Sequence, residues 1–267
     1  MRIMEEYEDL TIKRYKSKIN LAIIFGLFSF ILILFITILV VTDPTIVIFL
    51  NPTVLQTANP IVFFWNVLFV IVSDVLSYSY IVVIIVLFFL SYVPDKRLEF
   101  LKKYRFILFI ACITGFLTQI TVNTLKVVIQ RPRPYITYSD LIHLFSHLSD
   151  SHSFPSGHTA SAFGFLLPII LFQDKTWKKM SILVIPLAVG FSRVYLGVHY
   201  LSDVLGGMLL GVCFSIIISL LIFKSKDIKS EKIFKFGNYE LPYKQFIYLL
   251  VAGFLLVIFL ATEILLG

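Results

Sequence analysis

Residues 104–134 read YRFILFIACITGFLTQITVNTLKVVIQRPRP, a long apolar run followed directly by a basic, proline-rich end. A bilayer core about 30 Å thick needs roughly 20 apolar residues of helix. Tyr104–Thr124 satisfies that requirement. Pro132 and Pro134 stop the helix and push the residues before them into extended backbone. The stretch therefore predicts a membrane-spanning helix with a cationic end.

The composition of the whole chain agrees with this prediction. Of 267 residues, 58% are hydrophobic and only 15% are charged, and the mean hydropathy is +0.93. A soluble domain is usually about half apolar and a quarter charged. We therefore predict an all-α polytopic membrane helix bundle that forms one integral membrane domain over residues 1–267. Cys112 and Cys213 lie inside apolar runs and are interpreted as packing residues.

Seven apolar runs are interpreted as membrane spans. They are Asn20–Val41, Asp74–Val93, Tyr104–Thr124, Ala160–Phe172, Met180–Phe191, Asp203–Phe223 and Phe246–Leu266. The first run is too long for a signal-peptide core, so we expect it to stay in the protein. The run Ile61–Val72 is too short to cross a bilayer and is interpreted as an interfacial or re-entrant helix.

The basic residues predict the orientation of these spans, because Lys and Arg collect on the cytoplasmic side of a membrane. With seven crossings, 19 of the 23 basic residues lie on one side, which is also the side of the N-terminus. This charge therefore indicates cytoplasmic loops rather than nucleic-acid binding. Four cations remain on the opposite, extracytoplasmic face: Lys126, Arg131, Arg133 and Arg193.

Three polar motifs stand at span ends on that opposite face. The first runs from Lys126 to Arg133-Pro134. The second, Pro155-Ser156-Gly157-His158, directly precedes an apolar run. It has the pattern of a helix start: a Ser cap, a Gly that allows close approach, and outward-pointing amides that favour an anion.

The third motif is Ser192-Arg193, five residues, His199, three residues, Asp203. If His199 and Asp203 share a helix, their spacing of four places them on one face. The carboxylate would then hold one imidazole nitrogen as N–H and leave the other lone pair available. Together the motifs supply cations, backbone donors and two imidazoles, which is what phosphoryl transfer without a metal requires.

These stretches resemble the three signature motifs of the type 2 phosphatidic acid phosphatase superfamily, which are K-x6-RP, PSGH and SR-x5-H-x3-D. Every fixed position is matched within the motif region, residues 126–203. The flanking spans fit the six-helix membrane core of that family, and the span at residues 246–266 resembles an addition to it.

The resemblance implies a role for each motif residue. His199 resembles the nucleophile that forms a phosphohistidine, Asp203 its orienting partner, and His158 the general acid for the leaving oxygen. The residues that resemble the phosphate-binding set are Lys126, Arg133, Ser156, Gly157 and Arg193. No metal and no other cofactor is implied, and no obligate protein partner is evident.

The expected function is hydrolysis of a membrane lipid phosphate or diphosphate at the cell membrane. The resemblance favours polyprenyl (undecaprenyl) diphosphate, with phosphatidate or phosphatidylglycerol phosphate as alternatives. Two other classes stay open, a lipid phosphotransferase that uses the same intermediate and a membrane transporter. A transporter would place ionisable residues in mid-span, whereas here most of them stand at span ends.

Several polar residues also have plainer interpretations. At a span end, basic side chains such as these external cations commonly extend to the membrane interface. Arg131 fits either the phosphate site or a contact with lipid headgroups. His143, His147 and His152 are interpreted as residues of an external loop rather than metal ligands. Asp74 and Glu263 are interpreted as span-end residues. A last set of small residues is interpreted as close helix packing: Gly206, Gly207 and Gly211.

Overall fold

The computed structural model of the protein describes residues 42–51, 59–144, 152–225, 233–236 and 239–242. Within these ranges the architecture is a bundle of helices. Two of the predicted spans, Asn20–Val41 and Phe246–Leu266, lie outside the described residues, as do His147 and Glu263.

The helices, in chain order, are α1 (Asp43–Leu50), α2 (Pro60–Leu90), α3 (Arg105–Ile129), α4 (Pro134–Thr137), α5 (Gly157–Phe172), α6 (Thr176–Tyr195) and α7 (Leu201–Ser225). A 3-10 helix, Lys96–Tyr104, leads into α3. The strands Ile233–Phe236 and Tyr239–Pro242 form a short antiparallel hairpin, which the all-α prediction did not include.

Three helical segments in the described part of the chain are long and apolar enough to cross a membrane: Pro60–Leu90, Lys96–Thr137 and Leu201–Ser219. The chain is therefore a multi-pass membrane protein. The two short runs predicted between Gly157 and Leu196 form α5 and α6. Helix α6 is longer than the predicted Met180–Phe191 because polar residues at both of its ends continue the helix.

The interpretation of Ile61–Val72 as a separate interfacial or re-entrant helix is wrong. This run is the first part of α2, which continues without a break from Pro60 to Leu90. A π-helical turn, Ile71–Leu76, lies in its middle. The hydroxyl of Ser77 donates to the carbonyl oxygens of Val72 and Ser73 within this turn, which satisfies acceptors that the wider turn leaves open.

The centre of the bundle is the contact between α3 and α5. The buried rings of Phe116 and Phe165 meet edge to face, with centroids 5.3 Å apart. The hydroxyl of Thr114 donates to the Gly164 carbonyl oxygen at 2.6 Å and links the two helices. Cys112 is a free thiol buried in the same core, which agrees with its interpretation as a packing residue.

Small residues let α7 lie directly against α5. A Cβ atom added at Gly207 would lie 2.4 Å from the Ser156 carbonyl oxygen, and one at Gly211 would lie 2.6 Å from the Ala160 carbonyl oxygen. The packing interpretation of these glycines is confirmed. Because α7 approaches α5 this closely, the third motif lies beside the second.

We expect Gly211→Val to lower the thermal unfolding midpoint of the detergent-purified protein. The added atoms would meet the Ala160 carbonyl and the Phe163 Cβ atom, which is also 2.6 Å from the position of an added Cβ. Overpacking of this kind costs about 1–3 kcal/mol. Ile217→Val on the exposed side of the same helix is the control and should leave the midpoint unchanged. An unchanged midpoint for Gly211→Val would contradict the close approach of α5 and α7.

Candidate active site

The first motif occupies the end of α3, as predicted. Gln130 ends the helix in the left-handed region, at φ 52°, and donates its backbone N–H to the Lys126 carbonyl oxygen. Arg133 then has extended backbone (φ −79°, ψ 154°), as expected for a residue before proline. Its side chain is buried, and Nη1 donates to the Val198 carbonyl oxygen at 3.0 Å. Lys126 is half-buried in the last turn of α3.

The second motif begins α5, and Ser156 stands at its N-cap position. The Ser156 hydroxyl does not cap a backbone amide, because it pairs with the Thr159 hydroxyl at 3.0 Å. The Ser156 N–H donates to the Asp203 carbonyl oxygen at 2.9 Å. This bond ties the start of α5 to the start of α7. The backbone amides of the first turn of α5, which begins at Gly157, are the ones suited to an anion.

His158 follows in the same turn and is half-buried. Its ring stands edge-on to the ring of Tyr78 in α2, with centroids 5.4 Å apart and planes at 74°. Helix α2 therefore forms one wall of the site next to this imidazole.

His199 and Asp203 do not share a helix, so the condition under which their spacing would place them on one helix face is not met. Helix α7 begins at Leu201, and His199 lies in the connection before it. Gly197, at φ 73°, lies in the left-handed region favoured by glycine and follows the end of α6. The Asp203 carboxylate then accepts a bond from the Tyr200 N–H at 2.8 Å, as a helix cap does. The two side chains still meet, with His199 Nδ1 3.5 Å from Asp203 Oδ2.

The contacts of His199 indicate which ring nitrogen carries the proton. Its Nε2 lies 3.2 Å from Nη1 of Arg133. A guanidinium can only donate, so this contact requires a lone pair on Nε2. The proton then belongs on Nδ1, which faces the Asp203 carboxylate. The nucleophilic atom of this tautomer is Nε2.

His199 is a neutral base in this environment. It is 1% exposed, and burial together with the charges of Arg133, Arg193 and Lys126 lowers its pKa well below 6.5. Both causes disfavour the imidazolium form. An uncharged imidazole at neutral pH retains the lone pair that attack on phosphorus requires.

Arg193 projects from the last turn of α6 and is buried. Its Nη1 donates to the Ser73 hydroxyl and lies 3.3 Å from Oδ1 of Asp74. Among the residues that the structure describes, its buried Nε has no hydrogen-bond partner. The charges of Arg193 and Arg133 both act on His158 and on His199. The structure thus brings the two arginines and the two imidazoles of the motifs together, as predicted.

Arg131, for which the sequence offered the phosphate site or lipid headgroups, is bound to carboxylates of the protein. Its Nη1 donates to Asp203 Oδ1 at 2.7 Å, and its Nη2 lies 3.2 Å from Asp43 Oδ2. The guanidinium also stacks 4.0 Å above the Tyr200 ring. Arg131 therefore bridges two buried carboxylates.

Sequence reasoning missed two acidic residues. Asp43 is buried at the start of α1 and binds both the N–H and the hydroxyl of Ser202. Asp74 lies inside α2 rather than at a span end, so its interpretation as a span-end residue is wrong. The sequence did contain a signal for them. The segment Thr42–Ser73 has no basic residue, yet Asp43 lies within it and Asp74 directly follows it.

Of the histidines interpreted as loop residues, His143 has described contacts. The backbone of His143 is held by the Asn51 side chain, through bonds of 2.8 and 3.0 Å. Across the described ranges, no group of three or more His, Cys, Asp or Glu side chains is arranged to hold a metal ion.

Comparison with solved structures supports the fold. A crystal structure of a transmembrane PAP2-type phosphatidylglycerolphosphate phosphatase from Bacillus subtilis superposes with a TM-score of 0.55 at 24% sequence identity. The match covers 79% of this chain and 98% of that one. At this identity the likeness shows a shared membrane helix bundle.

Curated relatives match part of the chain. Phosphatidylglycerophosphatase B of Bacillus subtilis is 41% identical over 99 residues, which are 34% of this chain and 45% of that protein. Undecaprenyl-diphosphatase BcrC of Bacillus subtilis is 32% identical over 120 residues, which are 44% of this chain and 57% of that protein. The matches thus span about half of the length of these relatives.

A protein-family model matches the part of the chain that contains the motifs. The model described as PAP2 superfamily matches residues 103–227, which include all three motifs and the helices α3 to α7. Residues 103–227 therefore match the PAP2 superfamily, the family that the three motifs resemble.

Proposed function

We propose that the protein is a membrane phosphatase that hydrolyses a lipid phosphate or diphosphate through a phosphohistidine on Nε2 of His199. The observation that carries this proposal is the neutral imidazole of His199, whose Nε2 contacts the Arg133 guanidinium and whose Nδ1 faces the Asp203 carboxylate. A base held in one tautomer beside cations suits attack on a phosphate group.

The phosphate would be bound by Lys126, Arg133 and Arg193 together with the Gly157 amide. Guanidinium groups bind phosphate oxygens through two parallel bonds and neutralise the charge of the transition state. Ser156 would contribute by shaping the start of α5, since both its N–H and its hydroxyl have partners in the protein. Phosphate binding by these groups does not require a metal.

In the first step the Nε2 lone pair of His199 attacks the terminal phosphorus. The bond from that phosphorus to the leaving oxygen breaks, which is the bridging oxygen of a diphosphate or the ester oxygen of a lipid monophosphate. His158 gives its proton to that leaving oxygen. In the second step water attacks phosphorus, His158 takes a proton from the water, and the P–N bond breaks to release inorganic phosphate. A helix N-terminus disfavours an imidazolium, so His158 would become an effective acid once phosphate is bound beside it.

For the substrate we propose undecaprenyl diphosphate first, with phosphatidylglycerol phosphate and phosphatidate as the alternatives. The relatives support this group, since their names are phosphatidylglycerophosphatase, undecaprenyl-diphosphatase and lipid A phosphatase. Arg131 does not argue for a diphosphate, because its guanidinium is bound to Asp203 and Asp43. We also propose that residues 1–267 form one domain in the cell membrane, with the N-terminus cytoplasmic and the site extracytoplasmic.

The first test is phosphate release by the detergent-purified protein in EDTA from each of the three lipids. We expect release from one of them, and we expect His199→Ala to lower the rate by about 1,000-fold or more, as loss of a nucleophile does. The variant should keep the unfolding midpoint of the native protein.

Two results would contradict this proposal. Full activity of folded His199→Ala would exclude the phosphohistidine, and loss of activity in EDTA would exclude the metal-free mechanism. Counting released phosphate against phosphorylated acceptor in the same assay separates hydrolysis from phosphotransfer.

The acidic limb of the pH profile tests the environment of His199. Because its pKa is lowered well below 6.5, the imidazole stays neutral as the pH falls through 6.5 and is protonated only at lower pH. We therefore expect kcat/KM to hold through pH 6.5 and to fall below it.

The variant Arg133→Gln provides the comparison for this profile. It removes the charge nearest to Nε2, so the pKa of His199 should rise and the acidic limb should move to higher pH. The position of the limb is the readout, since the same variant also weakens phosphate binding. A limb that stays in place or moves to lower pH would contradict the assignment of His199 as the base.

A further inference from the structure

Helix α2 departs from α-helical geometry next to the candidate site. The turn Ile71–Leu76 is π-helical, between α-helical segments on either side. Single π turns inside α-helices occur frequently at functional sites. The turn contains two polar side chains, Ser73 and Asp74, and Ser73 is fully buried.

Both side chains bind the same nitrogen of Arg193. Nη1 donates to the Ser73 hydroxyl and lies 3.3 Å from Asp74 Oδ1. The Ser73 hydroxyl in turn donates to Asp74 Oδ1 at 2.9 Å. Each of the three groups thus contacts the other two. These contacts fix the end of the guanidinium in position and direction.

The N–H on the other side of this guanidinium, at Nε, is available to a ligand. Arg193 Nε is buried and, among the described residues, has no acceptor. A buried N–H without a partner is rare, and leaving a charged donor unsatisfied is costly. A guanidinium is planar and rigid, so holding Nη1 also fixes where the Nε–H points. Arg193 lies against His199, whose backbone N–H donates to the Arg193 carbonyl oxygen at 3.2 Å, and we therefore assign its Nε–H to the phosphate site.

We infer that Ser73 and Asp74 are positioning residues for phosphate binding. They hold Nη1 of Arg193 so that its Nε–H remains directed to an oxygen of the bound phosphate. Asp74 also provides a counter-charge for a buried cation when no phosphate is present. The π turn places both side chains against Arg193 from a helix that carries none of the three motifs. This inference rests on the proposed function.

The test compares Asp74→Ala, Asp74→Asn and Ser73→Ala, measured for kcat/KM and for inhibition by inorganic phosphate. We expect Asp74→Ala and Ser73→Ala to lower kcat/KM by about 10- to 100-fold and to weaken phosphate inhibition. Asp74→Asn keeps an oxygen acceptor and should retain more activity than Asp74→Ala. The control is Ser79→Ala, an exposed hydroxyl bound to the Leu76 carbonyl oxygen on the same helix, and it should behave as the native protein.

A second background shows whether Asp74 acts through Arg193. In Arg193→Lys the guanidinium that Asp74 positions is absent, so adding Asp74→Ala should change kcat/KM by less than about threefold. A purely structural tie between α2 and α6 would lower the unfolding midpoint but leave phosphate inhibition of the folded enzyme unchanged. Phosphate inhibition measured well below the midpoint therefore separates the two roles.

The inference is overturned if Asp74→Ala and Ser73→Ala keep native kcat/KM and native phosphate inhibition. It is also overturned if Asp74→Ala has the same effect in the native and Arg193→Lys backgrounds. Should Asp74→Ala fail to fold, Ser73→Ala and Asp74→Asn decide by the same criteria. Activity of His199→Ala instead identifies a failure of the proposed function, whereas an inactive His199→Ala beside a fully active Asp74→Ala identifies a failure of this inference alone.

Discussion

The buried carboxylate of Asp203 is the group on which the site depends. It has no exposed surface, and a carboxylate without partners in such a place costs several kcal/mol. Its partners come from separate parts of the chain: the Arg131 guanidinium, the Ser153 hydroxyl, the Tyr200 N–H and the adjacent imidazole of His199. One buried charge therefore fixes the end of α3, the approach to α5 and the start of α7 relative to one another.

A second carboxylate extends this arrangement to the segment before α2. Asp43 shares the Arg131 guanidinium with Asp203 and binds Ser202, the neighbour of Asp203 in sequence. Charges within a membrane protein are stabilised by pairing with one another, and these three form a compact set. Because Arg131 serves this set, the neighbouring Arg133 is the arginine that contacts His199. Two arginines of one short motif thus have different tasks.

The sequence predicted the features that neighbouring residues determine and missed the contacts between residues far apart along the chain. The end of α3 at the prolines, the start of α5 and the packing glycines follow from short patterns. Whether His199 lies on a helix stayed open, because spacing does not reveal that Gly197 turns the chain and that Asp203 caps α7. The partners of Arg193 in α2 are more than a hundred residues away along the chain. A hydropathy profile scores Asp74 as a charged residue and takes no account of its partner Arg193. It therefore placed Asp74 at the start of a span.

The same charges connect substrate binding to the chemistry. Burial, and after it the charges of Arg133, Arg193 and Lys126, lower the pKa of His199 and keep its imidazole neutral. A bound phosphate would bring negative charge into that environment. An imidazolium at His158, which a helix N-terminus opposes, would then have an anion beside it. In the proposed mechanism the nucleophile must be neutral before the substrate arrives, and the acid must be stabilised as a cation afterwards. A site whose charge changes on binding would satisfy both requirements with two histidines.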